Sequence, residues 1–260
     1  MRGSRAAMNH VIEVSNLSVT FDDFEAVRDV SFSVEKGQIL VIIGLSGSGK
    51  STILRSLLRL NKFTGDVYVN CKHINELNKK ELIYYRAHDI SMIFQNFALL
   101  PHFNVIDNII LGLSIRKYSK KEAYQIAQPY VEMVGLNDWK FHRISQLSGG
   151  MKQRVGLCRA LTNKSPILLL DEALSSLDPI TRYELQYELI RIRDMLGITM
   201  IAVTHDMVEA STLADKVIML NKGQIVQEGT FKEIWNSPNC EHVDKFIRSS
   251  RISQRAPVEE

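Results

Sequence analysis

The chain has 260 residues, 45% of them hydrophobic, and its 32 Lys and Arg against 29 Asp and Glu give a formal charge of +3 and a pI near 8.7. That is enough chain for one large α/β domain with an insertion and a sizeable core, and the charge is too mild to argue for nucleic acid. The longest apolar runs fall far below the roughly 20 residues of a membrane-spanning helix. Cys71, Cys158 and Cys240 show no paired metal spacing and read as buried or incidental thiols of a reducing cytosol.

Residues 1–9 lack the apolar stretch of a signal peptide and read as a flexible leader, with Met8 as a second candidate start. The next segments are short strands: Val11–Val14, Leu17–Phe21, Val30–Val34 and Ile39–Ile43. Alternation over Val30–Val34 predicts a half-exposed antiparallel strand, and the unbroken Ile39–Ile43 run predicts a buried parallel one. A small antiparallel layer beside a central parallel sheet follows, with Asp66–Val69 and Ile90–Phe94 as further strands. Lys79-Lys80 and Lys120-Lys121 read as solvated helix faces. The pattern then turns helical, an all-α insertion over about 100–162, clearest at Ser119–Val134 with Gly135 as its stop. Alternation of strand and helix resumes with Ile167–Leu170, a helix opened by Asp178-Pro179, a strand Ile198–Val203, a helix from Asp206 and a strand Lys216–Leu220. Asn221-Lys222-Gly223 turns the chain into Gln224–Gln227. The main domain is expected over 10–248, with 249–260 a loosely ordered polar tail.

Two segments carry chemistry on their own residues. Gly44-Leu45-Ser46-Gly47-Ser48-Gly49-Lys50-Ser51-Thr52 lies between the Ile39–Ile43 strand and an apolar helical stretch, the setting of a phosphate-binding loop. Its glycines let successive N–H groups face phosphate oxygens, the helix N-terminus adds its positive end, Lys50 supplies a point charge and Ser51 can ligate Mg²⁺. The second segment, Ile167-Leu168-Leu169-Leu170-Asp171-Glu172, is an aliphatic strand ending in two carboxylates. Asp171 is expected at the carboxyl edge of the sheet beside the phosphate loop, holding Mg²⁺ through water. Glu172, one residue on, is expected to accept a proton from an attacking water.

Leu147-Ser148-Gly149-Gly150-Met151-Lys152-Gln153-Arg154 would by itself be an N-terminal helix cap. In order with the phosphate loop, Gln95, Asp171-Glu172, Ser176-Leu177-Asp178 and His205, it closely resembles the signature of ATP-binding cassette ATPases over about residues 10–235. The resemblance implies an α/β P-loop NTPase with a RecA-like core, an antiparallel β layer and an all-α insertion subdomain. It also implies ATP and Mg²⁺, and a head-to-tail dimer in which Ser148, Gly149 and Gly150 of one subunit cover the nucleotide on the other's phosphate loop. Gln95 then contacts Mg²⁺ or the attacking water next to a transmembrane permease, and His205 hydrogen-bonds the γ-phosphate. Phe21 resembles the aromatic that stacks on adenine, with ordinary strand packing as its alternative. Ala173 stands where most members carry proline.

The run Asp171–Arg182 that holds this departure, with Gly44–Lys50, Phe94–His102 and Ser148–Leu157, looks most like bacterial importers of glycine betaine, proline, choline or related quaternary amines. The resemblance implies a peripheral subunit on the cytoplasmic side of the inner membrane, served indirectly by an extracytoplasmic solute-binding protein. Fewer than 60 residues follow His205, so the tandem regulatory module those importers often append is not expected here. An importer of another amino acid such as methionine, or a soluble ATPase of the same family, is the alternative. Phe97, Leu99, Leu100 and Phe103 are expected either as an exposed docking patch or in the core.

Overall fold

The computed structural model describes residues 10–253. The expected leader 1–9 and the end of the expected tail, 254–260, lie outside them. The chain divides into two compact units: residues up to Leu77 together with those from Arg193 onward, and Asn78–Ile192.

The first unit opens with β1 (His10–Phe21), β2 (Phe24–Glu35), β3 (Ile39–Ile43), α1 (Lys50–Leu57), β4 (Thr64–Val69) and β5 (Lys72–His73). β1 is one strand where alternation predicts two, because Asn16 takes a left-handed conformation, φ 52°, and the register shifts between Val14 and Leu17 without breaking the ladder. Asn16 is held there by hydrogen bonds from its N–H to Ser31 Oγ at 2.8 Å and from its Nδ2 to Asp29 Oδ1 at 2.7 Å. The same irregularity, with Asp29 at φ 48°, hides the first half of β2 from a period-two reading. The four-stranded antiparallel sheet runs β2-β1-β4-β5, as the sequence predicts for a separate layer.

The second unit contains α2 (Lys79–His88), β6 (Ile90–Ile93), α3 (Val105–Ile109), α4 (Leu111–Ile115), α5 (Lys120–Met133), α6 (Gly149–Thr162), β7 (Ile167–Asp171) and most of α7 (Pro179–Leu196). α5 starts where Ser119 and Glu122 exchange side-chain and backbone hydrogen bonds, and it gives way to Gly135 at φ 68°. β6 and β7 pair in parallel, Ile90 beside Ile167 through Ile93 beside Leu170.

From Arg193 the chain returns to the first unit with β8 (Thr199–Thr204), α8 (Met207–Leu213), β9 (Lys216–Asn221), β10 (Gln224–Gly229), α9 (Phe231–Asn236) and α10 (Glu241–Ser253). β3 is parallel to both β8 and β9, and β10 pairs antiparallel with β9. All five β3 side chains are fully buried, the environment their unbroken aliphatic run requires. α10 runs through Ser249 to Ser253, within the segment expected as a polar tail. Val243, Phe246 and Ile247 bury one face of that helix, and Lys245–Glu241 and Arg248–Asp244 pair four residues apart along it.

Candidate functional site

In the first unit, β3 delivers the Gly44–Thr52 loop and α1 leaves it. Two of its glycines are required by close approach: a Cβ on Gly44 would lie 2.3 Å from Leu220 O, and one on Gly49 2.5 Å from Ala26 O. The loop is braced from outside as well. Gly223 N donates to Ser48 O at 3.0 Å, and Arg28 N donates to Gly223 O at 2.8 Å, so the β9–β10 turn ties the loop to the antiparallel layer.

The loop's polar groups point to an anion. Lys50 is buried and its Nζ donates to Gly44 O at 2.8 Å and Leu45 O at 3.0 Å, which holds the ammonium within the loop. Ser48 is 5% exposed and its Oγ has no hydrogen-bond partner among the described residues, an arrangement that costs free energy until an acceptor or donor arrives. α1 begins at Gly49, φ 102°, with no capping side chain and no acidic residue in its first turn. An N-terminus with a glycine cap and no acidic residue in its first turn suits an anion. Leu45, Ser46 and Gly47 form the outer, exposed arc, and Ser51 and Thr52 are half-buried in the first helical turn.

Two more expected residues belong to this unit. Phe21 ends β1 at the hairpin and is 47% exposed. His205 is exposed between β8 and α8, and the next residue, Asp206, caps α8 by accepting from Val208 N at 2.7 Å.

The second unit holds the remaining set. Asp171 ends β7 and is 4% exposed; Glu172 follows in a left-handed turn at φ 45°, with Ser175 N and Oγ both donating to its carbonyl at 3.2 and 2.8 Å. Gln95, exposed just beyond β6, brings its Nε2 3.2 Å from Glu172 Oε2. The two residues expected to handle water and metal thus meet directly. Asp178 caps α7 through Thr181 N at 3.0 Å, and hydrogen bonding from Thr181 holds its carboxyl below the ordinary value.

The Ser148-Gly149-Gly150 turn opens α6. Ser148 Oγ accepts from Met151 N at 3.2 Å, which leaves its O–H able to donate outward. Nothing lies within 4 Å of a Cβ added to Gly149, whereas one on Gly150 would meet Thr181 Cγ2 at 2.6 Å. Gly149 is open toward an incoming group, and Gly150 is small because α7 packs under it.

Sequence reading missed several supporting residues because each acts through a tertiary partner. Arg159 on α6 donates to Ala98 O at 2.8 Å and to Phe97 O, and burial depresses its pKa. Phe97 and Ala98 both sit at positive φ, 56° and 45°, in the loop that follows Gln95. Asn108, fully buried, accepts from Leu100 N at 2.8 Å and donates to Leu100 O and Asn104 O at 3.0 Å. Phe97, Leu99, Leu100 and Phe103 come out neither exposed nor buried but half-buried, because these backbone ties fold the loop onto α3 and α6. Of the cysteines, Cys158 is buried and its thiol pKa is pushed up by burial, whereas Cys71 and Cys240 are exposed.

A braced glycine loop between an apolar strand and an open helix N-terminus, in a unit built on a parallel sheet, defines a P-loop NTPase fold. The family model for ABC transporters matches residues 27–175, and the chain belongs to that family. It is 44% identical over 229 residues to the glycine betaine transport ATP-binding protein OpuAA of Bacillus subtilis, covering 88% of this chain and 55% of that protein. It is 46% identical over 222 residues to the glycine betaine/carnitine transport ATP-binding protein GbuA of Listeria monocytogenes, covering 85% and 56%. The chain spans little more than half the length of these curated relatives. Among solved structures it resembles the ATP-binding cassette MJ0796 in a dimeric post-hydrolysis state bound to ADP and Pi, with TM-score 0.77 and 33% identity over 85% of this chain and 98% of that one. CbiO1 from Clostridium perfringens shares the fold at TM-score 0.82 and 23% identity, over 95% of this chain and all of that one.

Proposed function

We propose that this chain is the ATP-hydrolysing, nucleotide-binding subunit of a bacterial ABC importer, energising uptake of a glycine betaine, proline or choline type of solute. The observation that carries the enzymatic part is the Glu172 carboxylate, fixed in a left-handed turn and met by the Gln95 amide at 3.2 Å. A carboxylate held beside an amide in this way can position a water and take its proton. In the proposed reaction that water attacks the γ-phosphorus of ATP, a new P–O bond forms, the bond to the β-phosphate oxygen breaks, and ADP and phosphate leave. Glu172 accepts the proton, Lys50 and the loop N–H groups stabilise charge on the β- and γ-phosphates, and His205 hydrogen-bonds the γ-phosphate.

Ser51, Asp171 and Gln95 are the proposed protein ligands for Mg²⁺. Their hydroxyl, carboxylate and amide oxygens suit a hard cation, and phosphate oxygens and water supply its other ligands. When bound, the ion neutralises phosphate charge.

A second copy completes the site in this reading, because Ser148 and Gly149 are exposed at the N-terminus of α6. The cassette relative named above is dimeric. A transmembrane permease is the further partner, and a solute-binding protein outside the membrane acts only through it. Among the described residues no helix is long and apolar enough to cross a membrane, so attachment at the cytoplasmic face would run through that permease. The quaternary-amine assignment rests on the two relatives named for glycine betaine transport.

Glu172→Gln tests the reaction. The variant is expected to bind ATP with near-normal affinity, to lose at least about 100-fold in turnover, and to accumulate an ATP-bound dimer in size-exclusion chromatography. Near-normal turnover would remove Glu172 from the role of base.

A further inference from the structure

At the end of β8 the chain must turn sharply to present an exposed His205 and then start α8. Two buried side chains build that turn. Thr204, 2% exposed, donates its hydroxyl proton to Glu209 Oε2 at 2.8 Å, and the same hydroxyl oxygen accepts the Asp206 N–H at 3.0 Å. Glu209 is 3% exposed and occupies the third position of α8.

A glutamate at that position ordinarily reaches back and accepts the N–H of the capping residue itself. Here a threonine hydroxyl is interposed between the two. The insertion has a directional consequence. The Thr204 hydroxyl proton goes to Glu209 while its oxygen takes the Asp206 N–H, so the one hydroxyl links the buried carboxyl to the backbone after His205. The Asp206 side chain adds a third tie, accepting from Val208 N at 2.7 Å. His205 is therefore held between two anchored neighbours, and the exposed imidazole leaves a backbone fixed from beneath.

We infer that Glu209 is a positioning residue for His205, acting through the Thr204 hydroxyl to hold the imidazole where it can meet a γ-phosphate. The inference rests on the proposed role of His205 and names the residue that makes that role possible. It requires that loss of the relay impair turnover while leaving nucleotide affinity, set by the Gly44–Thr52 loop, in place.

The test compares Glu209→Gln, Thr204→Val, Thr204→Ser and His205→Ala in the full chain, measuring ATP affinity and steady-state hydrolysis. Glu209→Gln is nearly isosteric but its amide can present a donor to Thr204, and Thr204→Val keeps the shape without the hydroxyl. Both are expected to lower kcat by about 10- to 100-fold, the range for losing a hydrogen bond to a charged group, with ATP Kd changed less than about threefold. Thr204→Ser, which restores the hydroxyl, is expected within about threefold of the parent in kcat. Normal kcat in Glu209→Gln and Thr204→Val alongside an impaired His205→Ala would overturn the positioning role and leave His205 in place. Parallel losses of kcat and ATP affinity, unrescued by serine, would also overturn it by making the pair a general support of the fold. Normal turnover in His205→Ala would defeat the reading of His205 itself.

Discussion

Lys50 is the basic side chain of the phosphate loop, and its ammonium is committed to the Gly44 and Leu45 carbonyls at 2.8 and 3.0 Å. A ligand's phosphate oxygens offer that ammonium charged acceptors in place of neutral ones, a stronger hydrogen bond by roughly twofold. Lys50→Ala is therefore expected to lose at least about tenfold in ATP affinity, the scale of one charge-assisted hydrogen bond, in a direct binding assay. Retained affinity would show that the loop N–H groups suffice. Phe21 poses a different question at the same scale, because its exposure makes stacking on a base its available contribution. Base stacking is worth about 1–3 kcal/mol by analogy with aromatic contacts to nucleic acids, so Phe21→Ala should weaken ATP and ADP alike by about 5- to 150-fold. Phe24, at 63% exposure across the hairpin, supplies the control; equal effects from Phe24→Ala would assign the loss to the hairpin and not to stacking.

Helix α6 carries the Ser148 turn at one end and Arg159 further along, and Arg159 holds the Phe97–Ala98 peptides next to Gln95. Two successive left-handed non-glycine residues cost about 1–3 kcal/mol each, and the guanidinium bonds to both carbonyls offset that strain. Arg159→Lys keeps a charge but not the planar fork, so it should relax the loop and lower turnover several-fold while ATP affinity stays unchanged; hydrogen exchange at residues 95–100 is the accompanying readout. Unaltered exchange would show that the loop holds itself. What was legible in the sequence divides along the same line between local and tertiary causes. β3, β7 and β8 were readable because aliphatic runs need burial, and α5 and α7 because Ser119, Glu122 and Asp178-Pro179 are local start signals. The phosphate loop, Gln95, Asp171, Glu172, the Ser148 turn and His205 stand in the sequence as motifs in a fixed order, and their roles are those proposed above. The continuity of β1, the length of α10 and the tasks of Asn108, Arg159 and Glu209 were not readable, since each depends on partners distant in sequence or on a residue at positive φ that breaks the alternation.

For the whole molecule the proposal is a motor that must pass nucleotide-driven movement to a permease, and the second unit carries a surface suited to receive one of its loops. Phe103, Asp107, Ile110, Leu111, Ser114 and Lys120 line a groove of about 340 Å³ formed by α3, α4 and the start of α5. Lys120 Nζ and Asp107 Oδ1 pair across 3.3 Å at its edge. Asn108 fixes the backbone of the loop leading from Gln95 into that groove, so a shift at Gln95 has a packed route to it. Phe103→Asp and Leu111→Asp place a charge among these apolar groups and are expected to abolish solute uptake while basal hydrolysis stays within about twofold, since neither residue belongs to the nucleotide site. Ile115→Asp is the control, 71% exposed on α4 and outside the groove lining. Loss of uptake in all three would point to a general effect on the helical region and count against docking in the groove. The identity of the solute is decided separately, because a shared fold does not determine it. Removing the chain from its native cell and following labelled choline, glycine betaine and methionine is expected to abolish entry of the quaternary amines and spare methionine. The reverse outcome would replace the quaternary-amine assignment with an amino-acid one, and the reaction proposed at Glu172 would stand unchanged.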